Sequence, residues 1–349
     1  MTRTLRTGMA AILCIIVTVL FSGCSGNNQG AQTDQPAGET QQPESARQVN
    51  LTWGASSSTS PFYAFYASLA SGIQKANPNF NITIQETGGS DDNAKRVREG
   101  TCDIGSCSME SDLKSYNGTG AFEGEPCKDL RVLWYDHVSV YQWATAQSSN
   151  ITDLTQFDGQ YVSPGGAGTS QATVSKDVFE LLGVHPKYLE GNQSVAGDAF
   201  QNRQIVGIAK LGPTPDSFLQ QMQATQPINF INVTDEQYRK ILTIYPAMQL
   251  VKVPAGAYEN TGEWQSVGML GGTQALSSLP QDAGYKLIKG LMEDARAEWE
   301  AAYPQGAATD ILALTLQADT PLHAGTVQYL VEKEFDVPKE LIPPEYKPA

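Results

Sequence analysis

Apolar side chains recur at helical spacing just inside the folded part of the chain. Phe62, Tyr66, Leu69 and Ile73 follow one another at steps of four, three and four residues, which places them on one face of a helix. The run 57–61, Ser-Ser-Thr-Ser-Pro, comes directly before them, and hydroxyl residues followed by proline favour a helix start. The pattern therefore predicts an amphipathic helix that begins near residue 61.

Predicted strands and helices alternate around this helix. Strands are expected at 51–56, 81–87 and 103–105, and further helices at 91–99 and from about Met109. The order β-α-β-α-β-α is typical of a parallel sheet that is covered on both faces. This part of the chain is therefore predicted to be an α/β unit.

A long β-prone stretch, 130–146, ends this series and exceeds the length of one ordinary strand. We expect it to carry the chain from one lobe into another, with 267–276 as the return crossing. A second α/β series lies between the two crossings. The predicted fold class is α/β with two lobes: residues 50–143 plus 266–349 form lobe I, and residues 144–265 form lobe II.

The first 23 residues have the composition of an export leader. Arg3 and Arg6 precede the apolar run 9–21, which is broken only by Thr18. That run makes about 20 Å of helix, too short for a hydrocarbon core of roughly 30 Å. A basic segment before a short apolar run is typical of a secretory signal peptide, here residues 1–23.

The leader ends in Leu-Phe-Ser-Gly-Cys, and two small residues before a cysteine resemble the lipobox of bacterial lipoproteins. On this interpretation Cys24 is lipidated and anchors the protein at the outer face of a bacterial membrane. The alternative is an ordinary cleaved signal with an incidental cysteine. Residues 25–48 lack aromatic and large aliphatic side chains, so 24–49 is predicted to be a flexible linker.

The charge balance excludes one class of partner. The 349 residues carry a formal charge of −14, and removal of residues 1–23 with Arg3 and Arg6 lowers it to −16. A chain with no excess of Lys and Arg cannot displace the counterions of a phosphate backbone. We therefore expect no nucleic-acid partner.

The cysteines and histidines of the mature chain are few. Cys102, Cys107 and Cys127 allow at most one intramolecular disulfide, and we favour Cys102–Cys127 because both precede strands at the same end of a parallel sheet. The three histidines, at 137, 185 and 323, are isolated from the cysteines and from one another. No metal site is expected.

Three predicted helix starts are rich in glycine and hydroxyl residues: 57–60, 89–90 and 165–170. Free N–H groups at a helix start favour an anion, and three starts at a common cleft would make a site for a small carboxylate. Tyr63 could add a hydroxyl and an aromatic surface, and Lys210 could neutralise a carboxylate. The alternatives are an ordinary capped helix at 165–170 and a solvated Lys210.

Signatures of catalysis and of nucleotide binding are missing. The sequence has no Gly-x-Ser-x-Gly elbow, no His-Glu-x-x-His, no P-loop and no complete Gly-x-Gly-x-x-Gly. We therefore expect a protein that is not an enzyme and that carries no cofactor.

The ordered motifs resemble the TAXI family, the extracytoplasmic solute receptors of one branch of TRAP transporters, over roughly residues 50–342. They are Glu86-Thr-Gly-Gly-Ser-Asp-Asp-Asn93, Gly100-Thr-Cys-Asp-Ile-Gly105, Tyr116-Asn-Gly-Thr-Gly-Ala-Phe122, the turn 163–170, Pro254-Ala-Gly-Ala-Tyr258 and Pro321-Leu-His-Ala-Gly-Thr-Val-Gln-Tyr329. The resemblance implies a periplasmic-binding-protein type II fold. It implies a monomeric receptor that captures a small organic anion (a dicarboxylate, 2-oxoacid or acidic amino acid) and delivers it to a TRAP permease.

The resemblance also implies ligand-binding residues, carried over by position. Those from lobe I are Ser57, Ser58, Tyr63, Ser90, Asn93 and Ser108, and those from lobe II are Gly168, Thr169, Ser170, Lys210 and Pro213. Two other functions remain open: a substrate-binding lipoprotein of an ABC importer, and a lipid-anchored α/β enzyme.

Overall fold

A mixed β-sheet runs through the computed structural model, which describes residues 48–348 apart from Thr59. Ten strands belong to it among the described residues: β1 (Val49–Gly54), β2 (Phe80–Gln85), β3 (Ile104–Ser108), β4 (Leu130–Ala146), β5 (Tyr161–Ser163), β6 (Lys187–Tyr188), β7 (Gly207–Gly212), β8 (Ile228–Phe230), β9 (Gln249–Val253) and β10 (Trp264–Leu276). They follow the order β2-β1-β3-β10-β4-β7-β5-β6, while β8 pairs with β4 and β9 with β10.

Eleven α-helices accompany the sheet in the same part of the chain. They are α1 (Pro61–Ala76), α2 (Ser90–Arg98), α3 (Met109–Asn117), α4 (Ser170–Leu181), α5 (Gln193–Gln201), α6 (Ser217–Thr225), α7 (Asp235–Ile241), α8 (Gln281–Lys289), α9 (Arg296–Ala302), α10 (Ile311–Thr315) and α11 (Ala324–Glu332). The α/β class and the alternation predicted over residues 51–117 are confirmed.

The first three strands pair as the alternation predicts. β1 is parallel to both β2 and β3. The next neighbour is β10, which returns from the far part of the chain and lies antiparallel to both β3 and β4. The sheet is therefore mixed, because the return crossing enters between two strands that run the same way.

Helix α1 begins where the sequence predicts it. The Ser60 Oγ accepts a hydrogen bond from the Phe62 N–H at 3.3 Å, and Pro61 occupies the first helical position. Of the predicted stripe, Tyr66, Leu69 and Ile73 are buried, while Phe62 is half-buried against the His137 ring. One face of α1 therefore packs on the sheet, and the helix begins shortly after the end of β1.

The stretch predicted to be too long for one strand is a single strand of 17 residues, β4. Its first part pairs with β10, and from Val140 to Thr145 it pairs with β7 on its other edge. β10 makes the return. Both crossings are thus continuous strands rather than loops.

Three clusters of buried apolar residues surround β4. The first core draws its buried members from 51–135 and 270–341, and the second and third cores draw theirs from 140–269. β4 and β10 contribute to the first core and to the others. The division into lobes at 50–143 plus 266–349 and at 144–265 stays a prediction of domain organisation.

The helix predicted over 282–302 is interrupted. A π-helical turn, Gly290–Asp294, separates α8 from α9. A Cβ at Gly290 would lie 2.4 Å from the Ile73 Cγ1, so α1 approaches closely at this point. The Trp299 indole N–H donates to the Leu291 carbonyl at 2.7 Å and satisfies one backbone group of the turn.

The predicted Cys102–Cys127 disulfide is absent, because Cys102, Cys107 and Cys127 are free thiols in the structure. Cys102 precedes β3 and Cys127 precedes β4, and these two strands do run in the same direction. However, β10 lies between β3 and β4, so the starts of these two strands are about 10 Å apart. A disulfide needs Cα atoms within about 7 Å of each other.

Several predictions concern residues that the structure does not describe. The signal peptide 1–23, the lipidation of Cys24 and the linker up to residue 47 lie outside the described residues. The strand β1 begins at Val49, the last residue assigned to the linker. Among residues 48–348, no helix is both long enough and apolar enough to cross a membrane.

Candidate ligand-binding site

A cavity of about 520 Å³ is lined by loops from both parts of the chain. We call residues 56, 57, 60 and 86–90 the first wall, and the lining residues within 163–171, 190–196 and 208–218 the second wall. The first wall follows β1 and β2, and most of the second follows β5, β6 and β7. The site therefore lies at the carboxyl ends of strands, where ligands bind in open α/β sheets.

Four helices begin at this cavity. The starts of α1, α2 and α4 are the three that the sequence predicts, and α5 adds a fourth. The Thr169 side chain caps α4 by accepting from the Ala172 N–H at 3.1 Å, and the Asn192 side chain caps α5 by accepting from the Val195 N–H at 3.1 Å. Each start adds partial positive charge to the cavity.

A carboxylate of the protein itself binds the turn before α1, while the Ser60 side chain caps the start of the helix. The Ser58 N–H donates to the Glu86 Oε1 at 2.9 Å. This backbone N–H and the hydroxyls of Ser58 and Ser57 hold the pKa of the Glu86 carboxyl below its usual range. Glu86 is exposed and is therefore an anionic group at the rim of the first wall.

The α2 start differs from the other three. Its N-cap residue is Gly89, and no side chain caps the helix in the described structure. Gly89 has φ +106°, a conformation that strains any residue with a Cβ, so the usual Ser, Thr or Asp cap is disfavoured here. The first N–H groups of α2 are therefore left without a side-chain cap beside the cavity.

Lys210 lines the cavity but is already paired. Its ammonium lies 3.3 Å from the Asp216 carboxylate and donates to the Leu211 carbonyl at 2.7 Å. The side chains of Lys210 and Asp216 are 6% and 0% exposed. Lys210 is thus neither solvated nor a free cation for a ligand.

Of the eleven predicted binding residues, the structure brings five into the lining. They are Ser57, Ser90, Thr169, Ser170 and Lys210. Their contact with a ligand stays a prediction. Both walls contribute, so these positions meet at one cavity although 33 to 153 residues separate Ser57 from the others.

Three of the other predicted residues make structural contacts in the first part of the chain. Asn93 is fully buried, and its Nδ2 donates to the Ala55 carbonyl at 2.7 Å and to the Ser106 carbonyl at 2.9 Å. Ser108 is buried and caps α3. Tyr63 is half-buried against the first core.

The remaining three predicted residues also lie outside the lining. Ser58 is exposed and contributes its N–H to Glu86. Gly168 is exposed in the turn before α4, with φ +77°. The Pro213 carbonyl accepts from the Gln142 side chain at 2.9 Å, and Pro213 borders a separate hollow beside His137.

Several lining residues were missed by the sequence analysis. Ser56, Thr87 and Ser163 add hydroxyls, and Ala196, Ile208 and Phe218 add apolar surface. The Gly-Asn pair at 191–192 carries a local signal, because Asn is a favoured N-cap. The apolar residues carry no such signal, because their spacing does not distinguish a residue that lines a cavity from one that packs in a core.

A larger hollow of about 600 Å³ lies beside Phe230 and Trp264 and includes the loop 259–263. No α-helix start is found among its described lining residues. Nor do the described residues include a group of three or more His, Cys, Asp and Glu side chains arranged for a metal ion. The cavity with four helix starts is therefore the stronger candidate site.

The sheet, the helices and the cavity at the ends of the strands define the class: the fold is that of a type II periplasmic solute-binding protein. The chain matches the NMT1-like family over residues 53–333 and belongs to that family.

Three solved structures are similar to this chain. MatC from Rhodopseudomonas palustris with bound malate has a TM-score of 0.51 and 14% identity, over 75% of this chain and 90% of that one. The alkanesulfonate-binding protein SsuA from Xanthomonas axonopodis pv. citri, bound to MOPS, has a TM-score of 0.45 and 14% identity over 85% and 97%. A TctC solute binding protein from Polaromonas has a TM-score of 0.48 and 11% identity over 76% and 90%.

Proposed function

We propose that this protein is an extracytoplasmic solute receptor that holds a small organic anion between its two walls. The observation that carries the proposal is a cavity of about 520 Å³ at which four helices begin, one of which, α2, has no side-chain cap among the described residues. Backbone N–H groups and hydroxyls bind a carboxylate with little formal positive charge. Residues 144–265 act as the second lobe, and contacts made only when both lobes meet favour the closed state.

The proposal extends to delivery. The ordered motifs over residues 50–342 resemble TAXI receptors, which supports a TRAP permease as the partner rather than an ABC importer. Lipidated Cys24 and the linker 24–49 would keep the receptor at the outer membrane face, as a monomer. The protein is a receptor and not an enzyme on this proposal.

Binding is tested by thermal unfolding of the purified protein with monocarboxylates, dicarboxylates, 2-oxoacids and amino acids. A ligand at 100 times its Kd stabilises the folded state by about 2.7 kcal/mol, a clear rise in Tm. Ser90→Trp fills the cavity from the first wall and should abolish that rise. Ser217→Trp places the same side chain at an exposed position outside the lining and should preserve it. No rise with any anion would overturn the proposal.

Delivery is tested with proteoliposomes that contain a TRAP permease. Uptake of the bound anion should require the receptor and an ion gradient, and it should proceed without ATP. Uptake that depends on ATP hydrolysis with a neighbouring ABC permease would instead assign the receptor to an ABC importer.

A further inference from the structure

The two walls differ in chemistry, and this difference favours one class of ligand over others. The inference rests on the proposed function. We propose that the ligand carries a single carboxylate, bound at the start of α2, and an apolar substituent that packs on the second wall. A monocarboxylate of this kind is favoured over a dicarboxylate.

The carboxylate position follows from the helix starts. The side chains of Ser60, Thr169 and Asn192 already cap α1, α4 and α5. The nine-residue helix α2 lacks a side-chain cap among the described residues. An anion at this start would therefore find N–H donors that the protein's own side chains do not use.

Buried hydroxyls beside the cavity supply a second, independent observation. Thr87 and Ser163 both line the cavity and are 9% and 0% exposed. Within the described chain, the Thr87 Oγ1 and the Ser163 Oγ have no hydrogen-bond partner. A buried hydroxyl without a partner costs stability, and a ligand oxygen that accepts from it removes that cost. Thr87 belongs to the first wall and Ser163 to the second, so each wall holds one such hydroxyl.

The charges of the lining argue against a second carboxylate. Glu86 is held by serine groups rather than by a cation, and Lys210 is neutralised by Asp216. Glu190 is paired with Lys176 at 2.6 Å. A dicarboxylate would therefore place its second charge near Glu86 with no unpaired cation in the lining to offset the repulsion.

Two acidic residues in the first turn of α2 do not cancel its attraction for one anion. The Asp92 carboxylate is paired with Arg96 at 2.8 Å and accepts the Gly88 N–H at 3.0 Å. Asp91 is buried, accepts from the Ser111 hydroxyl at 2.6 Å, and has its pKa raised by burial. Asp92 is thus compensated, and Asp91 is engaged by α3.

The apolar surface lies entirely in the second wall. Its aliphatic and aromatic lining residues are Ala167, Ala196, Ile208, Leu211 and Phe218. The first wall contributes only hydroxyl residues, glycines and Glu86. A ligand with one polar and one apolar end matches this arrangement, because each methylene moved from water to such a surface favours binding.

Isothermal titration of the purified protein with butyrate, hexanoate, adipate and 3-phenylpropanoate tests the inference. Hexanoate and adipate have the same chain length and differ by one carboxylate. We expect hexanoate to bind at least about tenfold more tightly than adipate, and about tenfold more tightly than butyrate because of two added methylenes. Glu86→Gln should improve adipate binding more than hexanoate binding.

The hydroxyl contact has a matched control. Ser163→Ala should weaken hexanoate binding about fivefold or more, as for the loss of one hydrogen bond. Ser115 is also fully buried with an unpartnered Oγ but lies outside the lining, so Ser115→Ala should leave the affinity unchanged. Equal affinities of the two variants would overturn the Ser163 contact.

The outcomes separate this inference from the proposed function. Adipate binding as tight as hexanoate binding would overturn the monocarboxylate inference and leave an anion receptor. If hexanoate and 3-phenylpropanoate bind no more tightly than butyrate, the apolar contact is overturned. The absence of binding by every anion would overturn the proposed function as well.

Discussion

Both walls of the cavity are built from helix starts, but they offer different groups to a ligand. Each presents helix starts at the ends of strands, but in the first wall Ser60 caps the α1 start and the α2 start has no side-chain cap. In the second wall both starts carry side-chain caps, its cation is paired, and its remaining surface is apolar. The polar end of a ligand therefore has its best donors on the first wall.

On the proposed function, the number of helix starts does not measure the capacity for anions. What matters is which N–H groups are already used by the protein. Capping residues such as Thr169 stabilise their helices and remove donors at the same time. A start left uncapped, with glycine at the cap position, is the more informative feature.

The largest expected effect concerns the cation of the second wall. Lys210→Met leaves the Asp216 carboxylate buried without its partner and should lower the free energy of unfolding by about 4 kcal/mol. Lys210→Met combined with Asp216→Asn removes both charges and should recover most of that loss, since Asn can still cap α6. Urea denaturation measures both.

The same pair of variants tests whether Lys210 serves the ligand. If it is an internal partner of Asp216, the double variant should bind anions within about threefold of the parent protein. A loss of tenfold or more in the stable double variant would show that the second wall does supply a cation, and the contrast between the walls would fail.

A smaller effect is expected from the side chains that support each wall. Asn93 holds the first wall by donating to the Ala55 and Ser106 carbonyls, and it is fully buried. Gln171 holds the second by donating to the Ala209 carbonyl at 2.8 Å, and it is half-buried. Asn93→Ala should cost about 3 kcal/mol and Gln171→Ala about 1 kcal/mol in denaturant unfolding. Equal costs would show that the two walls are held equally firmly.

A pH dependence of stability is also expected, from carboxyl groups behind the first wall. Burial raises the pKa of Asp112 to about 7, whereas an Asp in the unfolded chain titrates near about 4. Between these values the folded protein holds a proton that the unfolded chain releases, so stability falls as pH rises from about 4 to about 7. Burial raises the pKa of Asp91 and Glu110 in the same direction.

Asp112→Asn should make that decline shallower, as measured by urea midpoints between pH 4.5 and 7.5. Asp282→Asn changes an exposed carboxylate on α8 and serves as the control, which should keep the decline of the parent protein. A steeper decline in Asp112→Asn would mean that the sign of its contribution is wrong.

Local features of the fold were predictable from sequence. The Ser60 cap, the proline after it and the apolar stripe of α1 lie within one short segment, so their physics is local. Helix α5 was missed because Gly197 weakens its pattern. A Cβ there would lie 3.1 Å from the Phe218 ring, so the glycine makes room for a side chain 21 residues away in sequence.

The site was predictable only in part, since the contacts that decide it join distant residues. Ser90 and Asn93 stand one turn apart on α2. Asn93 is held by carbonyl groups directly after β1 and within β3, whereas Ser90 lines the cavity. The pairing of Lys210 with Asp216 depends on the shape of the turn between them. The disulfide prediction failed because β10, far along the chain, enters between β3 and β4.

The continuous strand β4 has a mechanical consequence. Its 17 residues span about 55 Å and belong to the first core at one end and to the other cores at the opposite end. No loop joins the cores at this crossing, so on the proposed function a rotation of one core against the other would have to twist β4 and β10. On that proposal, closure around a ligand would be resisted by the backbone of two hydrogen-bonded strands instead of a flexible hinge loop.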